Sequence, residues 1–187
     1  MKFVERKLKG LYEVHYEPYV DHRGSLTKPF NKQDFKDAGL EVDLCQVMHS
    51  YTEHRNTVRG MYIQTDPCME GKVVAPLRGK TFWVAVDVRK GSDTFGEWDA
   101  MVLSPEAHKA FLITPGFAHG CLSLTDDVSL LLMADNHHAP DNGFAFAWDD
   151  PDVGIRWPLL SHPPIFSEMS GTDPSFANFC KEHVGKS

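Results

Sequence analysis

The sequence predicts an all-β chain, a sandwich or barrel with a few short helices, and three observations predict it. Short runs rich in β-branched and aromatic residues recur along the chain. Gly, Pro, Asp and Ser punctuate them at fairly even spacing. Segments with helical signatures are few, which leaves the pattern of a sandwich or barrel.

In chain order, the strand signals run from Leu44 to Tyr51, Val73 to Leu77 and Thr81 to Val88. The last two are divided by the turn signal Arg78-Gly79-Lys80. Further runs cover Met101 to Leu103, Ala110 to Ile113, Gly120 to Leu124 and Val128 to Met133. Asn31 is placed to cap a short helix from Gln33 to Ala38 that Gly39 ends. Asp173-Pro174-Ser175 opens a last helix through Phe176 to Glu182. Between His137 and Pro164 the chain is rich in Pro, Asp and Gly. It also carries Phe144, Phe146, Trp148, Ile155 and Trp157, so an ordered excursion that buries these rings is expected.

The length of 187 residues fits a single domain, 1–187, and 42% hydrophobic residues support a sizeable core. A net charge of -7 with no basic run argues against nucleic acid, whose backbone calls for clustered Lys and Arg. No stretch approaches the roughly 20 apolar residues of a membrane span, and the charged start Met1 to Lys7 has no apolar signal core. A cytoplasmic protein is expected. Cys45, Cys68, Cys121 and Cys180 form no CxxC pair, so the expectation is free, mostly buried thiols rather than zinc ligands.

The ten histidines contain no HxH pair followed by a carboxylate, so no metal site is expected. His137 and His138, if in a strand, point to opposite faces. No P-loop, dinucleotide fingerprint or GxSxG elbow is present. Any grip on phosphate then falls to cations beside glycines: Arg23-Gly24, Arg59-Gly60 and Gly71-Lys72. The turn Pro115-Gly116-Phe117-Ala118-His119-Gly120 either aims His119 into a barrel mouth or is an ordinary turn with a locally bonded imidazole.

Several blocks, in order over nearly the whole chain, carry a resemblance. They are Asp21-His22-Arg23-Gly24, Gln46 to Ser50, Asn56 to Gln64, Gly71-Lys72-Val73-Val74, Val84 to Arg89 with Ser92 to Trp98, Ile113 to Gly120, and Asp149 to Pro158. Together they resemble the dTDP-4-dehydrorhamnose 3,5-epimerase family. The resemblance implies a cupin-like (jelly-roll) β-barrel and a homodimer sharing N-terminal strands, with no metal and no organic cofactor. It implies a dTDP-4-keto-6-deoxyhexose substrate, deprotonated beside its keto group and reprotonated from the opposite face. Such chemistry needs a base, an acid and a cation for the enolate oxygen. By the same likeness Arg59 and Arg23 hold the diphosphate, Arg23 from the neighbouring subunit. Lys72 faces the sugar, His119 is the pocket histidine, and Gln46, Lys28 and Trp83 line the substrate site.

The chain departs from the family at its proton-transfer positions. Tyr62 in Arg59-Gly60-Met61-Tyr62-Ile63-Gln64 stands where the family has its basic His. Ser170 stands at the orienting Asp, Leu132 at the acidic Tyr, and Trp83 at an Asp. Arg23 to Lys28 differs from the family's Arg-Gly-x-Phe-x-Glu, and Met48 replaces a common Asn. The expectation is therefore an isomerase or single-site epimerase for a nucleotide 4-keto-6-deoxy sugar. Its altered acid–base groups are Tyr62, Lys72, His119 and His138, with Lys72 the base if it is desolvated and near Arg59, and Tyr62 then the acid. Two alternatives stand: a non-catalytic sugar-nucleotide binder of the same fold, and an ordinary 3,5-epimerase using His49 or His138.

Overall fold

The computed structural model describes residues 1–158, 162–167 and 172–184. The elements run β1 (Lys2–Glu5), β2 (Leu11–His15), β3 (Tyr19–Asp21), β4 (Gly24–Leu26), α1 (Lys32–Asp37), β5 (Gln46–Thr52) and β6 (Val58–Gln64). There follow β7 (Lys72–Arg78), β8 (Thr81–Asp87), β9 (Trp98–Leu103), β10 (Lys109–Ile113), β11 (Phe117–Ser123), β12 (Val128–Ala134), β13 (Gly143–Ala145) and α2 (Phe176–Phe179). A single π turn, Cys180–Val184, follows α2. Asn31 caps α1, its side chain accepting from the Gln33 N–H, as its residue type requires. No helix among the described residues is long and apolar enough to cross a membrane.

Two antiparallel sheets form a cupin-type jelly roll. One has the order β1-β2-β10-β7-β12-β5, the other β13-β6-β11-β8-β9. From β5 to β8, and again from β10 to β13, consecutive strands alternate between the sheets. Each face therefore has its own cover. Between the sheets lie Leu11, Val74, Trp83, Ala85, Phe111, Ile113, Cys121 and Leu130. The outer face of the six-stranded sheet, with Val73, Ala75 and Leu112, packs on Phe35 of α1. The outer face of the five-stranded sheet, with Met61, Val84 and Val86, packs on Phe146, Phe176 and Phe179. Strands covered on both sides read as continuous apolar runs rather than alternations, and β11 is buried at every residue.

The excursion after His137 is ordered where described. Phe146 is fully buried, and Trp157 donates its Nε1–H to the Trp148 carbonyl at 2.8 Å. Four expectations need correction. β1 and β2 gave no clear sequence signal, because β1 is a polar edge strand (KFVE) largely open to solvent. The Arg59 block is itself a strand, β6. His137 and His138 lie in a loop, not a strand. Only Cys121 of the four free thiols is buried, and Cys45 is exposed.

One polar cluster pins the turn that leads into β11. Asp87 is fully buried at the end of β8. It accepts from Arg89 N, Nε and Nη2, Ser92 Oγ and Thr94 Oγ1 at 2.6–3.0 Å. Arg89 in turn lies 4.3 Å above the Phe117 ring. Burial pushes the Asp87 carboxyl up, but the hydrogen bonds from Arg89, Ser92 and Thr94 outweigh it and hold the group at about 2. A carboxyl that titrates near 3.9 when unfolded thus stabilises the fold above about pH 4. That contribution, roughly 2–3 kcal/mol, is lost as pH falls through about 2. Asp87→Asn is expected to lower Tm at pH 7 by roughly 5–10 °C. The gap to the unsubstituted protein should close in melts taken from pH 4 down to pH 2.

Candidate active site

A cavity of about 560 Å³ opens at one end of the space between the sheets. Tyr62 and Gln64 of β6, Lys72 of β7 and His119 of β11 line it, together with Glu70, His138, Phe144, Ser167 and Asp173. Local geometry explains the convergence. Tyr62 and His119 are directly paired on adjacent antiparallel strands, so their side chains share a face. Glu70 and Lys72 are two residues apart at the start of β7, so they too share a face.

Lys72 is the centre of the polar network. Its Nζ donates to Glu70 Oε1 at 2.5 Å and to His119 Nε2 at 3.2 Å. The Lys72 and Glu70 side chains are only 10% and 9% exposed, so the pair is shielded from water. Burial first, and then the Lys72 charge, drives the His119 pKa well below its ordinary value, with a hydrogen bond to the Phe117 backbone acting in the other direction. The imidazole is therefore neutral, with Nε2 as the acceptor that Lys72 uses. Trp83 of β8 lies parallel to His119, with ring centroids 6.2 Å apart. Its buried Nε1–H has no partner among the described residues.

Two glycines allow this close crossing of β6 and β11. A Cβ at Gly60 (φ +114°) would meet Gly120 Cα at 2.6 Å and the His119 carbonyl at 2.7 Å. A Cβ at Gly120 would meet Met61 Sδ at 2.7 Å. The register shifts here, setting Arg59 opposite Cys121. Arg59 is exposed, donating Nε to Thr52 Oγ1 at 3.1 Å and Nη2 to the Tyr51 carbonyl at 3.2 Å.

The structure thus gathers Tyr62, Lys72, His119 and His138 in one cavity, with Trp83 behind His119. Gln46, on β5, shares the ladder level of Lys72 through Ala134. Arg23 and Lys28 are not brought in. Arg23 sits at the β3–β4 turn, 76% exposed and paired with Asp21, while Lys28 lines a different cavity near the N-terminus. The expectation that Arg59 would sit beside Lys72 and make it a base is corrected: the partners of Lys72 are Glu70 and His119, while Arg59 bonds Thr52 and Tyr51. Leu132 packs against the inter-sheet core. Ser170 lies outside the described residues.

Two residues of the site were missed. Glu70 was legible by continuing the alternation of β7 back across Gly71. Gln64 was not, because its role is tertiary. Its Nε2 donates to the Cys68 and His137 carbonyls and its Oε1 accepts from Ala139 N, which fixes the loop carrying His138.

A jelly roll whose mouth holds an enclosed lysine–carboxylate pair, a neutral histidine and a tyrosine belongs to the class of cupin-type sugar-nucleotide epimerases. Comparison narrows this. The dTDP-4-dehydrorhamnose 3,5-epimerase family model matches residues 5–179, and the chain belongs to that family. It is 40% identical over 158 residues to the dTDP-4-dehydrorhamnose 3,5-epimerase of Methanothermobacter thermautotrophicus, covering 84% of each chain. The rmlC epimerase of Mycobacterium tuberculosis superposes with a TM-score of 0.91 at 29% identity, covering 96% of this chain and 90% of that one. ChmJ, a 3'-monoepimerase from Streptomyces bikiniensis in complex with dTDP-quinovose, gives 0.86 at 31% identity, with 93% and 87% covered.

Histidines of unfolded chains take up a proton near pH 6.5, whereas His119 in the fold resists it. Stability should therefore decline as pH falls below about 6.5. Nitrogen-15 NMR of the imidazole should show a single neutral tautomer from pH 8 to pH 6; a titration of His119 within that range contradicts the network drawn above.

Proposed function

We propose that the protein epimerises a dTDP-4-keto-6-deoxyhexose by exchanging protons at the carbons beside the keto group. The observation that carries this reading is Lys72, an enclosed ammonium that shares a cavity with a carboxylate, a phenol and a neutral imidazole. A cation preset where an enolate oxygen develops stabilises the transition state more than the ground state. Arg59 is three residues from Tyr62 along the strand, roughly 10 Å, and its forked donors suit a diphosphate.

The names of the relatives support inversion at both C3 and C5, and ChmJ makes a single centre the narrower option. The proton-transfer groups depart from the family's pattern, with Tyr62 at the base position and Leu132 at the acid position. A second copy of the chain completes the site in this reading. The β3–β4 hairpin projects with Tyr19, Val20 and Leu26 each about two-thirds exposed. Apolar side chains so placed favour burial against a partner, whose cavity mouth would then receive Arg23.

Incubation with a dTDP-4-keto-6-deoxyhexose in D₂O is expected to place deuterium at C3 and C5. Deuterium at one carbon supports the single-centre option. Binding of the sugar nucleotide without exchange would mark a binding protein and reject the enzymatic reading. Lys72→Ala is expected to lower kcat/KM by about 10²–10³-fold, and Arg59→Ala to raise KM by roughly 10–100-fold. Tyr19→Ser with Val20→Ser should shift the protein toward the monomer in light scattering.

A further inference from the structure

Epimerisation beside a ketone needs a group that accepts the C–H proton, and the residues matched to the family do not supply one. Phenols donate rather than accept at neutral pH, and Leu132 carries no exchangeable proton. His119 Nε2 already accepts from Lys72, and burial keeps its ring from taking a charge. His138 is exposed at the rim.

Glu70 has the required properties. It lines the cavity, its side chain is 9% exposed, and only Oε1 is engaged, by Lys72 at 2.5 Å. Oε2 has no hydrogen-bond partner among the described residues and is not fully buried. Glu70 leads into β7 of the six-stranded sheet, whereas Tyr62 belongs to β6 of the five-stranded sheet. A sugar ring held between the sheets has one of them on each face.

We propose that Glu70 is the general base of this site and Tyr62 the acid on the opposite face. This rests on the epimerase reading above. Glu70 Oε2 takes the proton from the carbon beside the keto group. The C–H electron pair becomes the C=C bond of an enolate, and the carbonyl π pair moves to oxygen, where Lys72 Nζ donates. Tyr62 O–H then delivers its proton to the same carbon from the far side. The C=C pair forms the new C–H bond, the C=O re-forms, and the phenolate regains through water the proton that Glu70 releases. Negative charge passes from the carboxylate to the enolate oxygen, and both flank the same ammonium. During enolate formation the negative charge therefore stays beside its counter-ion.

The test is Glu70→Gln, which keeps the shape and an acceptor for Lys72 but removes the basicity. Solvent-deuterium uptake into a dTDP-4-keto-6-deoxyhexose is expected to fall about 10²–10⁴-fold. The Kd for dTDP should stay within about threefold, and Tm should hold. The charged and titratable groups facing Glu70 are Lys72, His119, Tyr62, His138 and Asp173. Glu70→Asp should recover part of the lost rate. Exchange by Glu70→Gln above one-tenth of the original overturns the role of Glu70 and leaves the epimerase reading standing. Absence of exchange in the unsubstituted protein overturns both. Should Glu70→Gln fail to fold, Glu70→Asp is read instead, and an exchange rate unchanged by that one-methylene retreat overturns the role.

Discussion

An ammonium shielded from water is costly unless its charge is met, and the way Lys72 is met organises the mouth of the barrel. Glu70 supplies the counter-charge and His119 a second acceptor. Both partners are placed by backbone, not by flexible side chains. Glu70 follows from strand alternation two residues before Lys72, and His119 from the middle of β11. His119 is fixed in turn by the turn before it, where Arg89, clamped by the buried Asp87, lies on Phe117. Asp87 thus acts on the cavity at one remove: it holds the turn that aims the imidazole that helps hold the ammonium.

The rest of the barrel interior is apolar, and this matters for the chemistry. Trp83, Leu132 and Cys121 fill the space behind the polar cluster. Low polarity there strengthens the interaction of Lys72 with any developing oxyanion. It also leaves the Trp83 N–H without an acceptor among the described residues. The outer faces are covered as completely, by α1 on one side and by the aromatic excursion with α2 on the other. Central strands buried on both faces make a rigid frame, which is what a site needs when proton transfer depends on sub-ångström placement.

Much of this was legible in the chain itself. The Val/Ile-rich runs and the turn residues between them read correctly as β5 and as β7 to β12. The Asn31 cap and the aromatic excursion followed from residue type alone. The family blocks named Lys72, Tyr62, His119 and Arg59. Less visible were β1, whose polar edge residues look like a loop, and Gln64, whose amide is spent entirely on backbone groups of a distant loop. Arg59 does not partner Lys72: it bonds Thr52 and Tyr51, while Lys72 is held by Glu70 and His119.

The sequence alone determined that the chain is a β protein of sandwich or barrel type, that it resembles this epimerase family, and that Arg59 and Lys72 stand in the blocks that carry the resemblance. These are properties of composition, periodicity and motif, which are local along the chain. The tertiary structure alone decided which charges meet. Strand alternation between two sheets makes spatial neighbours of residues tens of positions apart. The pairing of Lys72 with His119 across 47 residues, and the gathering of Glu70 and Tyr62 in one cavity, depend on that folding pattern, because an electrostatic contact is set by distance in space and not by separation in sequence.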